Sequence, residues 1–517
     1  LSPLLASIPS LTSIQLSGGQ LRGSLPSAWN SLNLLSNLVI SNNLLTGTLP
    51  SSWGSFTSLT KLHLDKNSIT GSLPSSWGSL TDLEIAWLDI NSMNGTIPPS
   101  WASLQALKTL GLHYNSFTGS LPTAWNSLSS LSYIGLYNNS LTGSLPSSWG
   151  ALTSMTEAGF WANSLSGPLP SSWGSLVATT NLAFSENSLT GSLPSSWGSL
   201  TALEELALNF NSLNGTLPAS WAAMSRLRGL FLQGNSFTGT LPEEWASFDK
   251  LNFLVLRSNS LTGPLPPSWV ALEHLNQLHL YYNSLTGSLP TAWGEGFKHL
   301  NSVGLNSNSL TGSLPSSWGS LSHLNEIDLA QNSLVGPLPP AWASLSLLNL
   351  IFLDSNAFSG PLPGSWSSLT HLEYIVFNSN FLTGALPRSW VLLNKLRYLD
   401  LTENLLTGPL QFAWDESAMR YLYMSHNSFS GTLPDTSGRA ALELIDVSGN
   451  MLTGCMPVNV SAYPGELNSL NIAANWITGT IPPAVALSVN VSYMNVSQNA
   501  IVGSIPSEFC LSTGINI

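Results

Sequence analysis

Charged side chains are scarce in this chain of 517 residues, which has 26 acidic and 14 basic residues and a formal net charge of −12. They amount to 8% of the residues, whereas soluble proteins usually have about 25%. Proteins that bind nucleic acids carry basic patches. The shortage of Lys and Arg, together with the acidic balance, therefore excludes a nucleic-acid partner.

Cysteine and long apolar runs are also missing. Two Cys residues cannot build a disulfide framework. No apolar run approaches the roughly 18–20 residues that a membrane helix needs, so we predict no membrane span in these residues. Disorder is excluded as well, because 43% of the residues are hydrophobic and 20 of them are Trp.

The abundant feature is a repeat of 24 residues. Trp recurs at this interval from Trp29 to Trp293, and again from Trp318 to Trp414 after one inserted residue between positions 294 and 299. An Asn stands ten residues before each Trp from Trp53 onward, a Gly follows that Asn after four residues, and a Pro follows the Gly after three in nearly every repeat. Such a period is typical of a solenoid, here with 21 repeats in register and no linker between them.

A structural role can be given to the main positions of the repeat, which reads L-x-x-L-x-L-x-x-N-S-L-T-G-S-L-P-S-S-W-G-S-L-x-x. Leu62 and Leu64 alternate with polar residues and point inward from a short strand. The amide of the Asn can satisfy backbone groups where the strand ends, the Gly suits a positive φ, and the Pro starts a return through short 3-10 or extended pieces. The sequence therefore predicts a repeat solenoid of about 21 coils, with a curved parallel β-sheet on its concave face and 3-10 or extended segments on its convex face.

This pattern resembles the leucine-rich repeat family, in particular its plant-type class, over about residues 5 to 510. The systematic departure is Trp where the class usually has Leu. This L-P-x-x-W-x-x-L variant resembles extracellular leucine-rich repeat proteins of green algae and the surface antigens and proteophosphoglycans of trypanosomatids. The resemblance implies a parallel-sheet solenoid, usually outside the cell, that binds partners and does not turn over substrates.

The regularity of the repeat divides the chain. Residues 1–414 form a regular Trp-containing array that starts within a repeat, and residues 415–517 form irregular C-terminal repeats and a cap in the same continuous solenoid. The family's usual Cys-containing N-terminal cap is missing, so we expect further chain upstream. Cys455 and Cys510 lie two coils apart, about 10 Å, which exceeds the roughly 7 Å that a disulfide spans. They pair only if the C-terminus folds back; otherwise they are separate thiols or pair outside these residues.

Solenoids bind ligands on the concave strand face. On that face Gly111, Gly135, Gly159 and two further small residues stand in one column between Trp87 and Phe231, which predicts a shallow floor beside aromatic side chains for a peptide or a sugar ring. The alternative is that the small residues relieve crowding while the aromatic rings cover the sheet. A second stretch of Tyr and Phe residues, which extends to Tyr423, is either a protein-binding face or ordinary strand composition. The candidate ligand-binding residues are Trp87, Gly111, His113, Tyr133, Gly135, Tyr137, Gly159, Trp161, Phe231, Phe253, Arg257 and Tyr281.

The Trp column has two interpretations: a row of exposed indole rings that stack on sugars, or a row of indole rings buried in the core. We predict the core, because 17 exposed indoles in one line would form a very large apolar patch. Candidate N-glycosylation sequons, no more frequent than chance, occur at Asn94, Asn138, Asn214, Asn459, Asn490 and Asn495.

The sequence has no catalytic motif and no set of residues with clear metal-ligand spacing. We therefore predict no enzyme, no cofactor and no metal. The leading hypothesis is an extracellular or cell-surface scaffold that recognises a protein, a peptide or a cell-surface glycan, or that mediates adhesion. One alternative is a structural subunit of a cell coat, wall or surface filament, which would self-assemble or belong to a larger parent protein. A minor alternative is binding to ice or another surface through Ser and Thr ladders.

Overall fold

The computed structural model describes residues 1–410, 418–433, 442–456, 467–483 and 491–511. The chain divides into two compact units, Leu1–Leu261 and Thr262–Ile517. We call them the N-terminal unit and the C-terminal unit.

Each coil begins with a short strand of the main sheet, and consecutive strands pair in parallel. Glu157 lies opposite Tyr133, 24 residues earlier, so the repeat length sets the register. Inward residues such as Leu62 are buried while its neighbours Lys61 and His63 are half-buried, as the alternation predicts. In the N-terminal unit these strands are Ser13–Gln15, Asn37–Val39, Lys61–His63, Ile85–Trp87, Thr109–Gly111, Tyr133–Gly135, Glu157–Gly159, Asn181–Ala183, Glu205–Ala207, Gly229–Phe231 and Phe253–Val255.

A second run of parallel strands follows the Asn of each repeat, and the sequence analysis did not identify it as a sheet. The recurring geometry depends on glycine: Gly71 has a φ of +76°, and a Cβ atom there would lie 2.7 Å from Thr48 Cγ2. In the N-terminal unit these side strands are Arg22–Gly23, Leu44–Leu45, Thr70–Gly71, Ser92–Thr96, Ser116–Gly119, Ser140–Ser144, Ser164–Pro168, Ser188–Ser192, Ser212–Thr216 and Ser236–Thr238.

In most described coils the return segment is a 3-10 helix that starts after a proline with a φ near −70°, for example Pro50 at −69°. The Trp of each segment turns into the core, and Trp53 is 1% exposed. In the N-terminal unit these helices are Pro3–Ser7, Ser27–Ser31, Ser51–Ser55, Ser75–Ser79, Pro99–Ser103, Thr123–Ser127, Ser147–Ala151, Ser171–Ser175, Ser195–Ser199, Ala219–Ala223 and Glu243–Ser247.

The C-terminal unit repeats this organisation. Its main strands are Gln277–His279, Ser302–Gly304, Glu326–Asp328, Leu350–Phe352, Tyr374–Val376, Tyr398–Asp400, Tyr421–Tyr423, Leu444–Asp446, Ser469–Asn471 and Tyr493–Asn495. Its side strands are Thr262–Pro264, Ser284–Thr286, Thr311–Gly312, Ser333–Gly336, Ala357–Pro361, Phe381–Gly384, Leu405–Pro409, Ser428–Ser430, Thr478–Gly479 and Ala500–Ile501. Its 3-10 helices are Pro267–Ala271, Ser316–Ser320, Pro340–Ser344, Gly364–Ser368, Arg388–Leu392 and Ser507–Leu511. The inserted residue is accommodated by a short α-helix, Trp293–Gly296, in place of a 3-10 helix.

The Asn of each repeat joins neighbouring coils. Asn187 Nδ2 donates to the carbonyl oxygens of Phe160, Phe184 and Ser185 at 3.0, 3.1 and 3.2 Å. Its Oδ1 accepts a hydrogen bond from the backbone N–H of Leu165 at 2.9 Å. One amide thus satisfies four backbone groups that the turn would leave unpaired.

The structure confirms the predicted solenoid of parallel strands and 3-10 segments, the role of the Asn column, and the burial of the Trp column from Trp29 to Trp390. Trp414 lies outside the described residues. The predicted boundary near residue 415 lies outside the described residues and stays a prediction. Cys455 is exposed and is a free cysteine. The side chain of Cys510 lies outside the described part of the chain.

Candidate ligand-binding face

In the N-terminal unit, six aromatic side chains gather on the outward side of the main sheet. The rings of His113 and Tyr137 stack with centroids 4.2 Å apart, and those of Tyr137 and Trp161 stack at 4.5 Å. Tyr114 packs edge-on against Tyr137 at 5.6 Å. We call this group the aromatic cluster; its members are Trp87, His113, Tyr114, Tyr133, Tyr137 and Trp161.

The predicted floor of glycines is not open, and this prediction is corrected. A Cβ atom at Gly111 would overlap the indole ring of Trp87, and one at Gly159 would lie 3.0 Å from Tyr137 Cδ1. A Cβ atom at Gly135 would lie 2.9 Å from the hydroxyl oxygen of Tyr133. Because glycine has no side chain, the neighbouring rings lie directly on the backbone and fill the space. Tyr137 and Trp161 are only half-buried, so the rings themselves form the accessible surface.

Beneath this surface lies a polar pair that the sequence analysis did not identify. His113 Nε2 is 3.2 Å from Asp89 Oδ2, and the two residues are 7% and 5% exposed. Asp89 Oδ1 and His113 Nδ1 are buried and have no hydrogen-bond partner. Asp65, in the same column one coil earlier, accepts a hydrogen bond from Ser41 Oγ at 2.5 Å. The described residues contain no group of three or more His, Cys, Asp or Glu side chains that could hold a metal ion.

The phenols of Tyr133 and Tyr137 are neutral at physiological pH. Burial is the main cause that raises the pKa of Tyr133 to about 12, and Tyr137, Glu157 and Asp89 add to this effect. The pKa of Tyr137 is raised as well, also mainly by burial. The cluster therefore offers uncharged ring faces and hydroxyl groups to a ligand.

The remaining predicted residues do not join the aromatic cluster. Phe231 stacks on Phe253 at 6.3 Å. Arg257 is half-buried on the same unit. Tyr281 belongs to the C-terminal unit, where it packs against His279 at 5.9 Å and Tyr282 at 5.5 Å.

The C-terminal unit has its own aromatic group on the outward side of its main sheet. Tyr398 lies 5.8 Å from Tyr374 and 5.4 Å from Tyr423 between ring centroids. Two half-buried carboxylates, Asp328 and Asp400, share this face. Both stand four residues before an Asn, in the same column as Tyr423, and this spacing is the signal in the sequence that marks them.

Those carboxylates are poorly solvated. Burial raises the pKa of Asp328 to about 6, and the negative charges of Asp354 and Glu326 act in the same direction. Burial also raises the pKa of Asp354 and of Asp400.

The sequons differ in accessibility. Asn94 and Asn214 are exposed on side strands and Asn495 is half-buried, whereas Asn138 Nδ2 is buried without a hydrogen-bond partner. Asn459 and Asn490 lie outside the described residues. No helix within the described ranges has the length and apolar character that a bilayer span requires.

Comparison with known proteins agrees with this architecture. A family model described as Leucine Rich Repeat matches residues 58–80, 130–152 and 418–439. The comparison with curated proteins gives no match.

Three solved structures illustrate the likeness. The plant peptide hormone receptor RGFR1 in complex with RGF2 is 30% identical, with a TM-score of 0.90 over 98% of this chain and 81% of that chain. The PEPR1–AtPEP1 complex is 30% identical, with a TM-score of 0.94 over 100% of this chain and 72% of that chain. The Arabidopsis receptor kinase HAESA, in complex with the peptide hormone IDA and the co-receptor SERK1, is 30% identical, with a TM-score of 0.89 over 98% of this chain and 86% of that chain.

A solenoid of parallel strands whose coils are joined by Asn side chains defines a protein built from short structural repeats. The chain belongs to the leucine-rich repeat family.

Proposed function

We propose that this chain is an extracellular, non-enzymatic recognition scaffold that binds an extended peptide segment on the main-sheet face of its N-terminal unit. The observation that carries the proposal is the stack of His113, Tyr137 and Trp161, which stands on the outward side of the sheet. Rigid aromatic faces with few rotatable bonds are favoured in binding sites because little conformational entropy is lost there. The similarity to receptors solved with bound peptide hormones supports the same function.

One further feature bears on the alternatives. The Ser side chains of the return segments donate to carbonyl oxygens of the preceding coil, as Ser55 Oγ does to Asn30 at 2.8 Å. Hydroxyls engaged in this way are less suited to a regular ice-binding or surface-binding array. Glycan recognition or adhesion through the aromatic cluster, a coat or filament role, and the finer resemblance to algal and trypanosomatid surface proteins stay hypotheses.

The test is selection of a displayed library of random peptides, about 12 residues long, on the immobilised chain. We expect enriched peptides whose Kd weakens at least about tenfold in Trp161→Ala. The matched control is Trp476→Ala, which removes a 62% exposed indole outside the main-sheet face. Failure to enrich any peptide, or equal affinity for both variants, would overturn the proposal. Binding to a glycan array that only Trp161→Ala abolishes would favour the glycan alternative.

A further inference from the structure

A single column on the main sheet of the C-terminal unit has three acidic side chains among apolar and aromatic ones. Consecutive strands pair Asp328 with Phe352, Val376 with Asp400, and Tyr423 with Asp446. All six residues are half-buried. We call this row the acid–aromatic column; its members are Asp328, Phe352, Val376, Asp400, Tyr423 and Asp446.

The carboxylates of this column lack a basic partner. Asp328 Oδ1 accepts a hydrogen bond from the backbone N–H of Ala330 at 3.1 Å, and Asp400 Oδ1 accepts one from Thr402 at 2.9 Å. Neither contact brings a positive charge. Within the described ranges, no carboxylate of the column forms an ion pair with Lys or Arg.

The nearby arginines, each directly before the first residue of a strand, already form ion pairs with glutamates. Arg397 Nη1 lies 3.5 Å from Glu373 Oε2, and Arg420 Nη1 lies 2.8 Å from Glu443 Oε1. Asp328 and Asp400 are therefore desolvated negative charges, and the raised pKa of each reflects that cost. A cationic group placed against these oxygens would offset it. Asp446 accepts hydrogen bonds from Ser448 N–H, Ser448 Oγ and Asn471 Nδ2, and none of these donors carries a positive charge.

Aromatic rings line the same surface and suit the same partner. Tyr398 lies two residues before Asp400 in the same strand. Its ring centroid is 6.0 Å from that of Tyr421 and 5.4 Å from that of Tyr423. Burial raises the pKa of Tyr398 to about 12, so its ring stays neutral. Neutral Tyr faces attract guanidinium and ammonium groups and pack on the methylene stems that carry them.

The spacing favours a chain segment over a single ion. Adjacent strands are about 4.8 Å apart, so three steps separate Asp328 from Asp400 by about 14 Å and two steps separate Asp400 from Asp446 by about 10 Å. The ligands of one Ca²⁺ ion lie about 2.3–2.6 Å from it, and these carboxylates are too far apart to share one. An extended segment rising about 3.3 Å per residue covers the first gap in about four residues, so basic residues at i and i+4 face Asp328 and Asp400 from the same side. Because side chains alternate between faces, the next basic residue on that side is at i+6, from which a long Lys or Arg side chain can extend to Asp446.

From these observations we infer that the acid–aromatic column docks an extended segment of a partner protein whose Lys or Arg side chains reach Asp328, Asp400 and Asp446 while their stems lie on Phe352 and Tyr423. This surface belongs to the C-terminal unit alone. Its function does not depend on the aromatic cluster of the N-terminal unit.

The experiment measures binding of a synthetic peptide to the full chain by calorimetry. The probe is an extended peptide of about 12 residues with Arg at positions i, i+4 and i+6, all on one face, and with Tyr or Leu between them. The site variant combines Asp328→Asn, Asp400→Asn and Asp446→Asn. The control variant combines Asp82→Asn, Asp249→Asn and Glu295→Gln, three exposed acids elsewhere, and so changes the net charge by the same amount.

We expect the site variant to weaken the Kd at least about tenfold and the control variant less than about twofold. Equal weakening by both variants would mean that the peptide responds only to net charge, and this would overturn the inference. The absence of binding to the unmodified chain would overturn it as well. The single variant Asp400→Asn, with an unchanged Tm, serves if the triple variant unfolds. Unchanged binding of this probe by Trp161→Ala separates this surface from the proposed peptide site of the N-terminal unit.

Discussion

The indole Nε1 of Trp149 donates a hydrogen bond to the backbone carbonyl of Pro122, 27 residues earlier and one coil back, at 3.0 Å. The same bond joins Trp53 to Pro26 at 3.0 Å. The Trp column therefore does two things that Leu cannot do together: it fills the core and it satisfies a buried carbonyl between coils. This bond gives a physical reason for Trp where the plant-type class has Leu.

Replacing Trp149 with Phe should remove that bond while keeping an aromatic ring. We expect the free energy of unfolding to fall by about 1–3 kcal/mol, because the Pro122 carbonyl stays buried without a partner. Urea denaturation measures the change. Trp161→Phe, at a half-buried position outside the Trp column, should lose less than about 0.5 kcal/mol; a comparable loss at both positions would argue against the role of the bond.

Replacing Asn187 with Ala should be among the most damaging single changes in the N-terminal unit. The substitution leaves three carbonyl groups and the Leu165 N–H without their side-chain partner. We expect a loss of about 3 kcal/mol or more. Thermal unfolding monitored by circular dichroism tests this, with the exposed Asn214→Ala as control. Similar Tm values for the two variants would contradict the expectation.

Replacing Ala162 with Gly should stabilise the protein. Ala162 has a φ of +53° at the turn after the main strand, a left-handed conformation that costs a non-glycine residue about 1 kcal/mol. We expect a gain of about 0.5–1 kcal/mol in the free energy of unfolding. The matched change Ala183→Gly lies in a strand and should destabilise by a similar amount. A loss of stability in both variants would show that strain at Ala162 is negligible.

Replacing Asp328 with Asn should change how stability depends on pH. The pKa of Asp328 in the folded protein is about 6, above its ordinary value of 3.8. Folding therefore disfavours the charged form of Asp328. The resulting loss of stability is complete above pH about 6 and disappears as the pH falls toward 3.8. We expect Asp328→Asn to raise the Tm over that of the unmodified chain near pH 7.5, with a gap that shrinks near pH 5. The exposed Asp82→Asn should show no such pH-dependent gap; an identical pattern in both would rule out burial as the cause.

The repeat made most of the fold predictable. Trp53, Asn67 and Gly71 each recur at a fixed interval, and a fixed interval gives each of these residue types the same position on every coil. The side strands were harder to predict, because Ser and Thr after the Asn have no clear preference for a sheet when considered alone. They form one because the neighbouring coil supplies a parallel partner in register.

The candidate site was less predictable than the fold. Periodicity placed Gly111, Gly135 and Gly159 in one column but could not say that neighbouring rings would lie over them. Likewise, Asp89 and His113 stand in adjacent repeats, and only the stacking of coils brings their side chains to 3.2 Å.

The sequence by itself determined the repeat length, the order of strand, turn and return segment, and which columns face the core, because these depend on local residue preferences repeated at a constant spacing. The tertiary structure decided which side chains meet across coils: the bond from Trp149 to Pro122, the rings that cover the glycines, and the acid–aromatic column. Those contacts depend on side-chain direction and on the space left by a neighbour 24 residues away, which no single repeat specifies.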